Sequence, residues 1–164
     1  NRIGAEGQGW QVAMATAGFE RGLLLRSPAR FQATARKLVE LYKANRASAD
    51  RDPSLRDAVM ETWMGAEAYA LSAYYTVGRL SRGEQIGAES SINKIIWSEL
   101  DLKMHETAMH ILGMHGELTA KGSEAGDAAG WLEGFLFAQS GPIYAGTNEI
   151  QRNIIAERML GLPK

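Results

Sequence analysis

The feature that most constrains this fold is a long helical spacing of apolar residues in the middle of the chain. Asp52 and Pro53 supply a cap and a first-turn proline, and apolar residues then recur at i, i+3 and i+4 to about Leu80. They are Leu55, Val59, Thr62, Trp63, Ala66, Tyr69, Ala70, Ala73 and Val77. The spacing predicts one long amphipathic helix with its apolar side in a core.

The same period predicts helices on both sides of this one. They run onward from Trp10, from Ala29 to about Asn45, and from about Glu89 to Gly113. Ser27 and Pro28 resemble a cap and first-turn proline for the second of these. A short connection before Glu89 makes the two longest helices antiparallel. The aromatic residues of these helices, which are Trp63, Tyr69, Tyr74, Tyr75 and Trp97, are assigned mainly to the core.

The C-terminal third is less regular. Residues 116–130 have the Gly, Ala and Ser content of a loop, and a short apolar segment follows from Trp131 to Ala138. Thr147 or Asn148 can cap a last helix. Alternation typical of strands is almost absent. The pattern predicts an all-α protein, an up-and-down four-helix bundle with a short additional C-terminal helix.

Composition excludes several classes of function. The chain has 164 residues, a formal net charge of −1, 45% hydrophobic residues and no cysteine. Thiol chemistry is therefore excluded, and the scattered charges give no footprint for nucleic acid or an anionic membrane. No apolar run approaches the roughly 18 residues of a membrane span. Composition favours small-molecule chemistry in a soluble, cytoplasmic protein.

Two apparent ligand motifs are weak. His105, His110 and His115 are five residues apart, so they do not share a helix face, and no metal site is predicted. Glycines at 4, 7 and 9 follow no strand and precede no Lys-Ser or Lys-Thr pair, so residues 1–9 are interpreted as a linker.

Three blocks carry a family resemblance. They are EGQGW at 6–10 followed by Glu20-Arg21, INKIIWSELDLKMHETAMHILGMHG at 92–116, and GPIYAGTNEIQRNIIAERMLGLPK at 141–164. In this order they resemble the C-terminal domain of the acyl-CoA dehydrogenase family. The resemblance implies an α-bundle over residues 10–164 and a linker over 1–9 from a β-domain that this chain lacks, so the chain is interpreted as a C-terminal piece. It further implies FAD as cofactor and an acyl-CoA thioester as substrate, oxidised at its Cα–Cβ bond.

One position departs from the family pattern at the catalytic base. Most members have a glutamate where Ala145 stands between Tyr144 and Gly146, and a methyl group cannot accept a proton. Isovaleryl-CoA and long-chain acyl-CoA dehydrogenases place the base on the first helix before an arginine, which Glu20 matches. The resemblance implies Glu20 as the base, with a pKa raised by burial.

Three alternatives to this assignment stay open. Glu20 could pair with a nearby arginine such as Arg21 or Arg26. Ala145 could be an engineered replacement of a native glutamate. The chain could also be a non-catalytic structural subunit of a heteromeric dehydrogenase.

The resemblance also places the cofactor contacts and the partners. His110 and Gly113 match positions that touch the FAD of an adjacent subunit, and Gly146, Thr147 and Glu149 match positions near the dinucleotide. The Arg-x-x-Phe-Gly motif of the family is missing, although Arg46 and Arg51 lie in that region. These departures resemble bacterial heteromeric enzymes that act on bulky thioesters such as steroid side chains. They imply a homo-oligomer or a heteromer with a related dehydrogenase subunit, with electron-transfer flavoprotein as acceptor.

Overall fold

The computed structural model describes residues 2–22, 26–119, 126 and 128–163, with the side chains of 17–22 left out. Its helices are α1 (Gly9–Gly22), α2 (Pro28–Ala44), α3 (Arg46–Ala49), α4 (Pro53–Ser81), α5 (Ser90–Leu112), α6 (Ala128–Ala138) and α7 (Asn148–Arg158), with a 3₁₀ turn over Gly113–Glu117. No strand occurs in the described ranges, which confirms the all-α prediction. None of these helices combines the length and apolar composition needed to cross a bilayer.

Capping hydrogen bonds are present at two of the three predicted helix starts. The Asp52 side chain accepts a hydrogen bond from the Ser54 N–H at 3.0 Å, and Thr147 accepts one from the Ile150 N–H at 3.4 Å. Ser27 is the N-cap residue of α2 with Pro28 in the first turn, as predicted, but its side chain makes no capping hydrogen bond.

Helix α5 is the central element of the bundle. It contacts α1, α2, α4, α6 and α7, while α2 and α4 also pack against each other. Phe31 of α2 meets Tyr69 of α4 edge to face, with ring centres 5.1 Å apart, and both side chains are fully buried. Full burial of a side chain such as Phe31 stabilises the fold by roughly 1.5–3 kcal/mol. The core therefore lies where α2, α4 and α5 meet.

Two details of the predicted elements are wrong. Helix α6 begins at Ala128 and not at Trp131, because buried Ala128 and Ala129 pack as its first turn without giving an apolar period. Tyr74 and Tyr75, assigned to the core, are 63% and 69% exposed. Tyr75 lies on the side of α4 opposite its buried residues, and Tyr74 lies at the edge of the buried face.

Candidate functional site

The loop between α6 and α7 holds the residues of the family signature. Among the residues that the structure describes, Ala145 is the one non-glycine with a positive φ, at 56°, and Gly146 follows at 83°. A Cβ on Gly146 would lie 2.7 Å from Nε2 of Gln151. The loop thus requires glycine at 146 and holds Ala145 in a conformation that L-residues rarely adopt.

Gln151 of α7 holds this loop in place through hydrogen bonds to the loop backbone. Its side chain is fully buried, and its amide Nε2 donates to the carbonyl oxygens of Ala145 at 3.2 Å and Gly146 at 3.3 Å. Sequence reasoning did not single out Gln151. A sequence signal was available, because the spacing of Asn148, Gln151 and Ile154 places them on one face of α7. In the structure all three are buried.

A buried polar cluster anchors the start of α7 on α5. Lys94 has no exposed surface, and its Nζ donates to Oδ1 of Asn148 at 2.6 Å, which also accepts from the Ser98 hydroxyl at 3.2 Å. Burial lowers the pKa of Lys94. Asn148 donates in turn to Glu99, which pairs with Arg152. The position of the loop is therefore set by α5.

Arg26, two residues before α2, reaches the other side of the loop. Its guanidinium donates to the Tyr144 hydroxyl at 3.2 Å and lies 5.3 Å from the ring centre of Trp97 and 5.8 Å from that of Tyr144. The Tyr69 hydroxyl donates to the Arg26 carbonyl oxygen at 2.8 Å. Sequence reasoning considered Arg26 only as a partner for Glu20.

The structure describes the backbone of the proposed base, Glu20, and not its side chain. The backbone of Glu20 belongs to α1, which contacts α5, whereas its side chain is outside the described side chains, as is that of Arg21. The assignment of Glu20 as base, and its pairing with Arg21 or Arg26, therefore stay predictions. What the structure describes nearby is the contact of Arg26 with Tyr144 and Trp97.

The predicted cofactor residues form two groups. Gly146, Thr147 and Glu149 lie together at the N-terminus of α7, where a backbone N–H and the Thr147 hydroxyl lower the pKa of Glu149. His110 and Gly113 lie at the C-terminal end of α5. His110 is twelve residues beyond Ser98, which contacts Asn148, and this is about 18 Å along a helix. One copy cannot bring both groups to the same short part of a ligand.

Both acidic and basic side chains lie near His110 at this end of the bundle, and Arg46 pairs with Asp50 at 3.0 Å. The Tyr42 hydroxyl and then Arg46 hold the pKa of Asp50 below its usual value, and Arg56 adds to the effect. Bonds from Ser54 lower the pKa of Asp52, to which the nearby His110 contributes. Sequence reasoning named Arg46 for this region but not Arg56. Arginines of this kind suit phosphate oxygens.

The three histidines lie in different surroundings. His105 is buried, with Nδ1 at 2.8 Å from the Asp101 carbonyl oxygen and its ring against Trp131, whereas His110 and His115 are exposed. The described part of the chain contains no group of three His, Cys, Asp or Glu side chains that could hold a metal ion.

Comparison with known proteins decides the family. The sequence model of the acyl-CoA dehydrogenase C-terminal domain matches residues 7–160. The chain belongs to the acyl-CoA dehydrogenase family. This acyl-CoA dehydrogenase domain is 39% identical, over 99% of its length, to acyl-CoA dehydrogenase IpdE1 of Mycolicibacterium smegmatis, and it spans 39% of that relative.

Solved structures show the same fold. The ChsE4-ChsE5 complex from Mycobacterium tuberculosis matches all of this chain with a TM-score of 0.79 at 24% identity, over 42% of its own chain. The G363A variant of the steroid acyl-CoA dehydrogenase Tcur3481-Tcur3483 matches 99% of this chain with a TM-score of 0.78 at 22% identity, again over 42% of its own chain. The present chain therefore spans about two fifths of the proteins that it matches.

Proposed function

We propose that this domain belongs to a FAD-dependent enzyme that oxidises the Cα–Cβ bond of an acyl-CoA thioester, with Glu20 as the base that removes the α-proton. The observation that carries the proposal is the loop from Tyr144 to Thr147. Its strained backbone is fixed by Gln151 on one side and by Arg26 on the other, although residue 145 has no acid. A base on α1 fits this arrangement, because Arg26 joins the segment that follows α1 to the same loop.

The described residues fit a dinucleotide. FAD, when bound, accepts the hydride from the β-carbon. Gly146, Thr147 and Glu149 present backbone and side-chain polar groups at a helix N-terminus, which suits phosphate and ribose oxygens. His110 near the C-terminal end of α5 and Arg56 near the start of α4 would contact a second dinucleotide, held by an adjacent subunit, because His110 lies about 18 Å along α5 from the end that contacts α7.

The acyl group and the electron acceptor are proposed more generally. A structural neighbour is named a steroid acyl-CoA dehydrogenase, which supports a bulky acyl chain without identifying it. Electron-transfer flavoprotein is the proposed acceptor. A panel of short, long and steroid side-chain acyl-CoA thioesters would rank substrates by the rate at which each reduces the flavin.

A non-catalytic structural subunit is the second candidate, favoured by Ala145 at the position where the family resemblance implies the base. The complete protein distinguishes the two functions. Under the enzymatic proposal, the full-length chain, purified alone or with its partner, is yellow, and anaerobic addition of its acyl-CoA bleaches the flavin. A chain that binds neither FAD nor acyl-CoA in either preparation would support the scaffold.

We further propose that two copies of the chain pair through α4. Met60, Met64, Leu71 and Tyr75 are each more than half exposed and form one stripe along this helix. The spacing is symmetrical about the point between Glu67 and Ala68, so an antiparallel copy would set Met60 against Tyr75 and Met64 against Leu71. Such a self-complementary surface suits a two-fold axis. A related subunit can complete the assembly elsewhere, as in the neighbour named a ChsE4-ChsE5 complex.

A further inference from the structure

Arg26 is held at both its backbone and its side chain. Its carbonyl oxygen accepts the Tyr69 hydroxyl at 2.8 Å, which ties the backbone at this point to the core of α4. Its guanidinium lies against the rings of Trp97 and Tyr144 and donates to the Tyr144 hydroxyl at 3.2 Å. A residue fixed in this way cannot shift without moving what it touches.

The contacts of Arg26 converge on the residue next to Ala145. Trp97 is fully buried on α5, and its ring centre lies 5.9 Å from that of Tyr144. The guanidinium therefore bridges a fixed ring of the core and the first residue of the strained loop. Arg26 also lies four residues after Gly22, the last residue of α1. The sequence between the end of α1 and the contact with Tyr144 is therefore short.

We propose that Arg26 is a positioning residue that fixes the end of α1 against the loop at Tyr144, so that a carboxylate on α1 is held at a constant distance from the substrate's α-carbon. The inference rests on the proposed dehydrogenase function with its base on α1. Lysine cannot replace this arginine fully, because an ammonium group neither stacks flat on two rings nor keeps the directed hydrogen bond. Arg26 is not proposed to touch the reacting atoms.

The test uses the full-length protein with its FAD and partner subunit. Arg26→Met is compared with Arg26→Lys and with Arg36→Met, a control that removes an exposed arginine from α2. The limiting rate of flavin reduction and the Kd of acyl-CoA are measured anaerobically by stopped flow. For Arg26→Met we expect a limiting rate lower by roughly tenfold to a hundredfold, since misplacement by about 1 Å can cost up to roughly 10²-fold, with the Kd changed by less than about twofold. Arg26→Lys should recover part of the rate, and Arg36→Met should equal the unmodified protein.

A merely structural role would change FAD content and unfolding without changing the limiting rate. A wild-type limiting rate in Arg26→Met, or an equal loss in Arg36→Met, would therefore overturn the inference. If Arg26→Met does not fold, Arg26→Lys and Tyr144→Phe carry the same comparison. Tyr144→Phe removes the bonded hydroxyl, and after it Arg26→Lys should have a smaller effect on the rate than in the unmodified protein.

Failure of the proposed function is recognised separately. If acyl-CoA does not bleach the flavin of the unmodified protein, the dehydrogenase assignment falls, and with it the catalytic part of this inference. The contact itself is then judged by a double-mutant cycle of Arg26→Lys and Tyr144→Phe on urea unfolding, where effects that simply add would reject the coupling.

Discussion

Ala145 has a left-handed backbone at the position where the family resemblance implies a glutamate. An L-residue in the left-handed region costs roughly 1–2 kcal/mol, and here two bonds from the buried Gln151 amide offset that cost. These bonds hold the loop in its shape without a carboxylate at 145. Holding Tyr144 and Thr147 in place is the role that the geometry supports.

This strain can be measured at two adjacent residues. Ala145→Gly should raise the free energy of unfolding by up to about 1 kcal/mol, because glycine tolerates a positive φ. Gly146→Ala should lower it by roughly 1–3 kcal/mol, because its Cβ would lie 2.7 Å from Nε2 of Gln151 at a φ of 83°. Urea denaturation of both variants provides the comparison, and equal effects of the same sign would contradict the described loop.

Tyr69 predicts how stability changes at alkaline pH. Burial raises the pKa of its hydroxyl to about 12 from 10.0. Between these two values the unfolded chain releases this proton and the folded chain does not. The contribution of Tyr69 is therefore fully present below pH 10 and is lost as the pH rises towards 12. Urea unfolding from pH 9 to the highest workable pH should show a shallower loss of stability in Tyr69→Phe than in the unmodified protein. Parallel curves would contradict a raised pKa.

At the level of elements, α6 approaches α5 through a glycine. A Cβ on Gly134 would lie 2.3 Å from Nε2 of His105, whereas one on Gly130, a turn earlier on α6, meets nothing within 4 Å. Gly134→Ala should therefore destabilise the domain by roughly 1–3 kcal/mol. Gly130→Ala is the matched control and should be neutral or stabilise by up to about 1 kcal/mol, from helix propensity. Thermal unfolding that ranks the two in the opposite order would contradict this packing.

The long helices could be predicted because their burial is periodic in sequence. Val59, Ala66, Tyr69 and Ala73 of α4 all lie in the core as the spacing indicated. The start of α6 could not be predicted in this way, since Ala128 and Ala129 are buried small residues within a stretch of loop-like composition. The helical period did not require Tyr74 and Tyr75 in the core, because both lie outside the apolar stripe of α4, and both are exposed.

The contacts within the site could not be predicted from the sequence for a different reason. The hydrogen bond of Arg26 to Tyr144 joins residues 118 positions apart, so no local pattern indicates it. The buried Lys94 and Gln151 lie at helical core positions that are usually apolar, and only their partners in space explain them. The family signature identified the loop in the sequence, whereas the residues that hold the loop in place are found only in the structure.

At the level of the whole molecule, the exposed stripe on α4 predicts an effect on assembly. Met64→Lys should shift the full-length protein towards smaller species in sedimentation velocity, because each copy would bury a charge against the apolar Leu71 of the other copy. Leu136→Lys on α6 is the control, as Leu136 is similarly exposed, at 62% against 58% for Met64. An unchanged assembly in Met64→Lys would indicate that another part of the full-length chain, or a related subunit, covers the stripe.

The central claim is that the α-proton base lies on α1 and not at residue 145. Glu20→Gln in the full-length protein tests it most directly, because the amide keeps the size of the side chain and cannot accept the proton. Flavin reduction by acyl-CoA is followed anaerobically, with FAD content and acyl-CoA binding measured in parallel. We predict that FAD and acyl-CoA still bind while flavin reduction falls by a factor of about 10² or more. Reduction at the unmodified rate would contradict the claim.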